Sequence, residues 1–192
     1  MRNKKILILI SVVCLVLMII ALPFVSACGT GGAEGKTLKV GISTPSTGPA
    51  AEKGAPMGHA NLDAIKYINE ELGGVNGYQI EAVWLDNAYD ASKIVTNVKK
   101  FMDDGCLLFT TSSSKMMTAA MEIANRAEFP GLVCFNAPIL HRPPKHIYGQ
   151  MTDYGDDWVA FANYYMENIW KGEGKPRMAI HLLNNSTGYG AL

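Results

Sequence analysis

The sequence predicts an α/β fold in which a parallel sheet carries helices on both faces. Two observations predict it. Between residues 36 and 135, short apolar runs of strand length alternate with segments whose apolar residues recur at helical spacing. The resulting order, four strands separated by three helices, is typical of a parallel sheet because each parallel connection needs a crossover.

Residues 1–28 have the pattern of an export signal. Basic residues precede an apolar run over residues 6–27, and an uncleaved membrane anchor is the alternative interpretation of a run this long. The motif Val25-Ser26-Ala27-Cys28 resembles the lipobox of bacterial lipoproteins, in which cleavage leaves the cysteine as a lipid-bearing first residue. Residues 29–36 are rich in glycine, and we expect them to form a flexible tether.

Two strand–helix pairs follow the tether. Residues 38–42 alternate as a strand, and apolar residues at helical spacing predict a helix over residues 57–72. A second strand is expected at residues 79–85. Asp90 then suits the cap of another helix, and Gly105 lies just beyond its end.

The third pair carries the first candidate site. A strand at residues 106–109 leads into the hydroxyl-rich segment 110–114, and Met117 opens a helical apolar pattern. The first amides of a helix have no internal partner and attract anions, so this junction can hold a carboxylate. A serine there is also a good helix cap, which is the simpler interpretation for one of the three serines. A fourth strand is predicted at residues 131–135.

The pattern changes after the fourth strand. Residues 136–149 hold three prolines and no clear period, as expected of a segment that crosses between lobes. An aromatic helix is predicted from Asp156, a strand at residues 177–183, and a turn opening another helix after that. A lone strand and helix do not complete a lobe, so the sequence is interpreted as truncated.

We therefore expect a first ligand-binding lobe with its crossing segment at residues 37–149 and the start of an incomplete second lobe at 150–192. In open parallel sheets, ligands bind at the carboxyl ends of the strands where the strand order reverses. In the flavodoxin-like order this point lies between the first and third strands. The loops concerned are residues 43–58 and 110–114, both rich in glycine and hydroxyl groups.

The balance of charges bears on possible partners, and the position of the cysteines bears on disulfide formation. The chain has 17 basic and 17 acidic residues, and without a basic stripe the sequence predicts no nucleic-acid partner. Cys106 and Cys134 fall in neighbouring predicted strands, with an offset too long for a disulfide. We expect both to be free thiols.

An ordered set of motifs resembles the type I periplasmic solute-binding proteins of ABC importers, in the leucine/isoleucine/valine-binding family. The matching pieces are Thr47-Gly48-Pro49, the GGVNG turn, Asp86 with Asp90, the serine-bearing loop, and Tyr189-Gly190. The resemblance implies a two-lobed fold, each lobe a flavodoxin-like sheet, with the ligand held between them. It also implies an exported protein that delivers a solute to an ABC permease, without a cofactor, metal site or catalytic residue.

The resemblance assigns site residues one at a time. Ser113 and Ser114 match serines that hold a ligand carboxylate, and Tyr189 matches an aromatic residue that closes from the second lobe. Lys53 falls where the family places a residue lining the side-chain pocket. Asn136 and Ala137 occupy the segment after the fourth strand that normally clamps an α-amino acid.

Departures from the family pattern affect ligand choice. Phe135 precedes Asn136 where small, hydroxyl-bearing residues are usual, so the α-amino acid clamp is altered. Tyr89 replaces a cysteine that often forms a disulfide. Because Lys53 adds a cation to the cleft, we expect a small carboxylate-bearing solute, with polar or acidic ligands accepted beside or instead of leucine; alternatively, Lys53 extends into solvent and contributes nothing.

Two rival functions stay open. An enzyme could use His59, His141, His146 or His181 as a base, although the sequence contains no nucleophile elbow, phosphate-binding glycine loop or cysteine–histidine metal spacing. The fold implied by the resemblance also serves as the ligand-sensing domain of receptors and regulators.

Overall fold

The structure, a computed structural model, describes residues 36–190; the predicted export signal, Cys28 and residues 29–35 lie outside this range. The strands are β1 (Thr37–Thr44), β2 (Gln79–Asp86), β3 (Leu108–Thr111), β4 (Gly131–Val133) and β5 (Ile147–Gly149). The α-helices are α1 (Ala51–Glu70), α2 (Ala91–Asp103), α3 (Ser114–Arg126), α4 (Tyr154–Tyr164) and α5 (Ser186–Tyr189), and a π-helical segment at Tyr165–Ile169 continues α4. None of these helices has the length and apolarity needed to cross a membrane.

The five strands form one sheet in the order β2-β1-β3-β4-β5, and every pair is parallel. This confirms the predicted α/β fold with a flavodoxin-like strand order. Ser43 pairs with Thr111, and Thr111 with Val133, so the carboxyl ends of β1, β3 and β4 lie at one edge.

Alternate residues of β1 show that helices cover both faces of the sheet. Asn97 of α2 donates a hydrogen bond to Ser43 Oγ at 3.0 Å. A side chain at Gly41, on the same face, would come within 2.5 Å of the Phe101 ring of α2. Thr44 points the other way, towards Gly58 of α1. Helices α2 and α3 therefore pack on one face and α1 on the other.

The hydrophobic core lies between the sheet and the α2–α3 pair. Burial follows the helical period predicted from the sequence: Asp90 caps α2 by accepting from two backbone amides, and Gly105 ends the helix at φ +74°. The core's largest fully buried apolar side chains come from α2, α3, β3, β4 and β5: Ile94, Val98, Phe101, Phe109, Met116, Met117, Val133 and Ile147.

Helix α1 begins at Ala51, six residues before the predicted start at Met57. Its first turns approach the sheet through Gly54, against Pro45, and Gly58, against the Trp84 ring. A helix that packs through glycines buries backbone rather than side chains, so the hydrophobic period cannot reveal its first turns.

Two further strand predictions differ from the structure. The third strand runs over Leu108–Thr111 instead of residues 106–109, because Thr110 and Thr111 pair with β1 and β4. Threonine is β-branched and suits a pleated, half-buried position. The predicted strand ended too early because Thr110 and Thr111 were grouped with the hydroxyl-rich segment that follows. The fourth strand ends at Val133 rather than Phe135.

The segment 136–149, predicted as a crossing segment without a clear period, contains a 3₁₀ turn at Pro138–Leu140 and the strand β5. Only Ile147 of β5 is buried, and a single buried residue does not produce a pattern from which a strand can be predicted. The predicted strand at residues 177–183 does not form, since no described strand lies beside it. The predicted turn after it does open a short helix, α5.

Candidate functional site

A cavity of about 140 Å³ lies at the switch point, beside the ends of β1 and β3. It brings together three of the predicted site residues, Lys53, Ser113 and Ser114. The loop after β1, the first turns of α1 and the β3–α3 junction position them. The other lining residues are Pro45, Ala50, Gly54, Met57, Tyr89, Ser112, Phe135 and Tyr154.

The two serines differ in their contacts. Ser113 is the N-cap residue of α3, with extended backbone (φ −111°, ψ 131°), yet its side chain makes no capping hydrogen bond. Ser114 is 1% exposed, and its hydroxyl lies 3.0 Å from Thr187 Oγ1 near the start of α5. The first intrahelical bond of α3 runs from Met117 N to Ser113 O. The hydroxyl of Ser113 and the α3 amides that precede Met117 therefore remain as donors for an anion.

Lys53 lies at the rim of this cavity rather than inside it. Its side chain is 83% exposed, and Nζ lies 3.2 Å from Glu52 Oε1. An exposed pair of this kind contributes little to stability. Lys53 is therefore free to turn its ammonium group towards solvent or towards an anion in the cavity.

Asp86 fixes the loop that borders the cavity. Its carboxylate accepts from Ser46 N at 2.8 Å, from the amide and hydroxyl of Thr47, and from Ala88 N at 2.8 Å. Partial burial raises the pKa of Asp86, but these hydrogen bonds outweigh it and lower the pKa well below its ordinary value. The motif residue Asp86 thus acts by shaping the loop.

Sequence reasoning missed three aromatic side chains that line the cavity: Tyr89, Phe135 and Tyr154. In the sequence, Tyr89 stands where the family often has a cysteine, and Phe135 stands where small residues are usual. Tyr89 and Phe135 follow β2 and β4, at the carboxyl edge where ligands bind, and this position was the available signal.

The structure does not bring Asn136, Ala137 and Tyr189 into this cavity. Asn136 is buried, accepts from Ala137 N at 3.0 Å, and borders a separate cavity with Asp153. Ala137 is fully buried in the core. Tyr189 is 59% exposed, donates its hydroxyl hydrogen to Asn184, and lines a third cavity beside Ile139. Ligand contact by these three residues stays a prediction.

Another cavity, of about 240 Å³, adjoins the switch-point cavity and shares Met57 and Ser112 with it. Thr44, Thr110 and Cys134 also line it. The two together extend the space along the carboxyl edge of the sheet, on the face that α1 covers.

Two of the histidines and both described cysteines have defined surroundings. His59 packs edge-on against Trp84, with ring centroids 5.0 Å apart, and His141 Nε2 lies 3.0 Å from Asp153 Oδ2. Cys106 and Cys134 are free thiols, as predicted, and burial raises the pKa of each. Across residues 36–190, no three histidine, cysteine or acidic side chains are grouped as a metal ion requires.

A cavity at the switch point of a parallel sheet is where α/β proteins commonly bind small ligands. The family model described as periplasmic binding protein matches residues 37–190, and the chain belongs to that family. Membership implies an exported, extracytoplasmic protein.

Known relatives agree on the family. The leucine-, isoleucine-, valine-, threonine- and alanine-binding protein of Pseudomonas aeruginosa is 41% identical over 69 residues, covering 36% of this chain and 18% of that protein. A possible leucine/isoleucine/valine-binding protein from Rhodopirellula baltica matches with a TM-score of 0.70 at 21% identity, over 86% of this chain and 43% of that one.

An ABC transporter substrate-binding protein from Desulfitobacterium hafniense, solved in complex with leucine, matches with a TM-score of 0.65 at 22% identity. The match covers 81% of this chain and 45% of that one. The chain therefore spans less than half the length of these relatives, and the structural likeness establishes the fold.

Proposed function

We propose that the protein is the solute-binding component of an ABC importer and that it captures a small carboxylate-bearing solute, a branched-chain amino acid or a related acid. The observation that carries this proposal is Ser113, an N-cap residue whose hydroxyl makes no capping bond and borders the switch-point cavity. The relative from Pseudomonas aeruginosa, named for binding leucine, isoleucine, valine, threonine and alanine, supports the ligand class.

A carboxylate fits this corner for electrostatic reasons. The amides of the first turn of α3 carry the positive end of the helix dipole, and the Ser113 hydroxyl adds a neutral donor. Lys53 supplies a nearby positive charge without being buried. These groups hold an anion without an unpaired buried ammonium, whose desolvation would be costly.

Thermal melting of the full chain in the presence of candidate solutes tests the proposal. A ligand at a hundredfold excess over its dissociation constant should stabilise the protein by about 2.7 kcal/mol. Ser113→Ala should weaken carboxylate binding about tenfold, the usual effect of losing one hydrogen bond to a charged group. Ser92→Ala, in the first turn of α2, is the matched control and should bind normally.

The carboxylate proposal fails if only uncharged amides raise the melting midpoint and Ser113→Ala leaves that shift intact. Import itself is tested by uptake of the labelled solute: cells lacking the protein should lose high-affinity uptake. Retained uptake with loss of a solute-induced response would favour the ligand-sensing alternative.

We also propose that Cys28 carries a lipid that anchors the exported protein to a membrane. The lipobox motif at residues 25–28 supports this. Labelling with radioactive palmitate should mark the wild-type protein and Cys14→Ala but not Cys28→Ala. Equal labelling of Cys28→Ala, or a mature protein that starts elsewhere, would contradict the proposal.

A further inference from the structure

Tyr89 stands out within the switch-point cavity because its backbone is in a rare conformation. Ala88 and Tyr89 have φ angles of +48° and +58°, two consecutive non-glycine residues in the left-handed region. Side chains there are crowded, and such residues persist only where the surroundings fix them. The loop therefore places the Tyr89 ring at a conformational cost.

Two partly buried hydrogen bonds and one buried hydrogen bond hold the loop in this conformation. Ala88 N donates to Asp86 Oδ1 at 2.8 Å, and Tyr89 N donates to Asn87 Oδ1 at 2.9 Å. Asn87 is fully buried and donates to Ser43 O on β1 at 3.0 Å. Tyr89 is thereby tied to the strand that defines one side of the switch point.

The ring itself connects the loop to the carboxylate corner. Lys115 Nζ lies 4.6 Å from the centroid of the Tyr89 ring, within the range of a cation–π contact. Lys115 is the second residue of α3, immediately after Ser114. Tyr89 thus lines the same cavity as Ser113, with its ring fixed by the same helix end.

Phe135 and Tyr154 complete the aromatic walls of the cavity. They come from the segment after β4 and from the first residue of α4, so aromatic residues from three separate parts of the chain line the cavity that Ser113 borders. Phe135 is 45% exposed, which leaves ring surface available for a ligand. Aromatic pairs gain free energy beyond their buried area when a second ring stacks or meets them edge-on.

We propose that Tyr89 is a specificity-determining residue and that the site selects carboxylates whose body is a flat ring. The inference rests on the proposed function, since it takes the carboxylate to lie at Ser113. The ring of such a ligand lies against Tyr89, and its carboxylate meets the α3 amides. Selection by one ring contact should amount to about three- to tenfold in affinity.

Calorimetry with the full chain tests the inference using two matched ligands. Benzoate and cyclohexanecarboxylate carry the same charge and the same number of carbon atoms, but only benzoate is flat. Wild type should bind benzoate about three- to tenfold more tightly. Tyr89→Leu should abolish this preference, and Tyr89→Phe should retain it.

Tyr78→Leu is the matched control, because Tyr78 lies under Lys36 at 5.6 Å in a similar pair at the amino end of the sheet. It should leave the preference unchanged. Equal or tighter binding of cyclohexanecarboxylate by wild type overturns the inference, as does a Tyr89→Leu variant that weakens both ligands equally. The wild-type comparison needs no variant, so misfolding of Tyr89→Leu does not remove the test.

The two proposals fail in different ways. If leucine binds in a Ser113-dependent manner while benzoate does not bind, the ring selection is wrong and the proposed function stands. If no carboxylate binds, both the proposed function and the inference about ring selection are wrong.

Discussion

Single residues at the sheet edge hold the loops that surround the cavity, and Asp86 is the clearest case. Its pKa is lowered because the hydrogen bonds from Thr47, Ala88 and Ser46 outweigh the opposing effect of burial. A group with a lowered folded-state pKa stabilises the fold above its unfolded pKa, about 3.9, and loses that contribution as the pH falls through the folded-state value.

Asp86→Asn should therefore lower the free energy of unfolding by about 1 kcal/mol at pH 7, a value reduced for solvent screening because Asp86 is only partly buried. The difference from wild type should shrink below about pH 4. Urea unfolding at several pH values measures it, with the exposed Asp63→Asn as the control. A difference that grows on acidification would show that the Asp86 carboxylate is not stabilised by folding.

Residue-scale prediction succeeded where a position is set locally and failed where it depends on distant packing. Ser113 lies directly before helix α3, as the sequence predicted, and its role in anion binding stays a prediction. Asn136 and Ala137 turn away from the cavity because the segment after β4 enters the core, which only the folded chain shows. Tyr89 gains its position from Asn87 and Ser43, 44 residues apart.

At the scale of elements, an acidic residue joins the segment after β4 to helix α4. The Asp153 side chain is fully buried; its Oδ2 lies 2.7 Å from Arg142 Nη2 and 3.0 Å from His141 Nε2. Its Oδ1 accepts from Asp156 N at 2.9 Å and so caps α4. One carboxylate therefore serves both a helix cap and an ion-pair cluster.

Asp153→Ala should lower the free energy of unfolding by about 1 to 3 kcal/mol, because it removes the α4 cap and the buried oxygen that faces Arg142 and His141. The cost stays moderate because Arg142, 52% exposed, keeps its ion pair with Asp156 at 2.8 Å. The matched control is Asp157→Ala, an exposed acid on the same helix, which should cost less than about 1 kcal/mol. Equilibrium denaturation measures both. If the two variants are equally stable, the buried contacts of Asp153 contribute nothing.

Elements were predictable where capping and periodicity agree. Helix α2 has both an Asp90 cap and a glycine stop, and its apolar face matches the buried face. The start of α1 was hidden because glycines rather than apolar side chains make its contacts. Strand β5 could not be predicted because it has a single buried residue, an isoleucine. The strand predicted at residues 177–183 does not form, and among the described residues it has no neighbouring strand.

At the scale of the whole molecule, the two faces of the sheet differ in how they are covered. The face under α2 and α3 holds the continuous core, and Phe109 there is fully buried and stacked on Phe129 at 5.4 Å. On the other face, α1 packs through glycines, and Tyr148 of β5 is 52% exposed. Stability should therefore come mainly from the α2–α3 side.

Two aromatic residues of the sheet test this difference. Phe109→Ala should lower the free energy of unfolding by about 3 to 5 kcal/mol, because it removes a large buried ring and leaves a cavity. Tyr148→Ala should cost less than about 1 kcal/mol, since much of that ring already contacts solvent. Urea denaturation of both variants, with slopes compared to wild type, measures the effect. A Tyr148→Ala cost equal to that of Phe109→Ala would mean that the exposed face carries as much of the stability as the core.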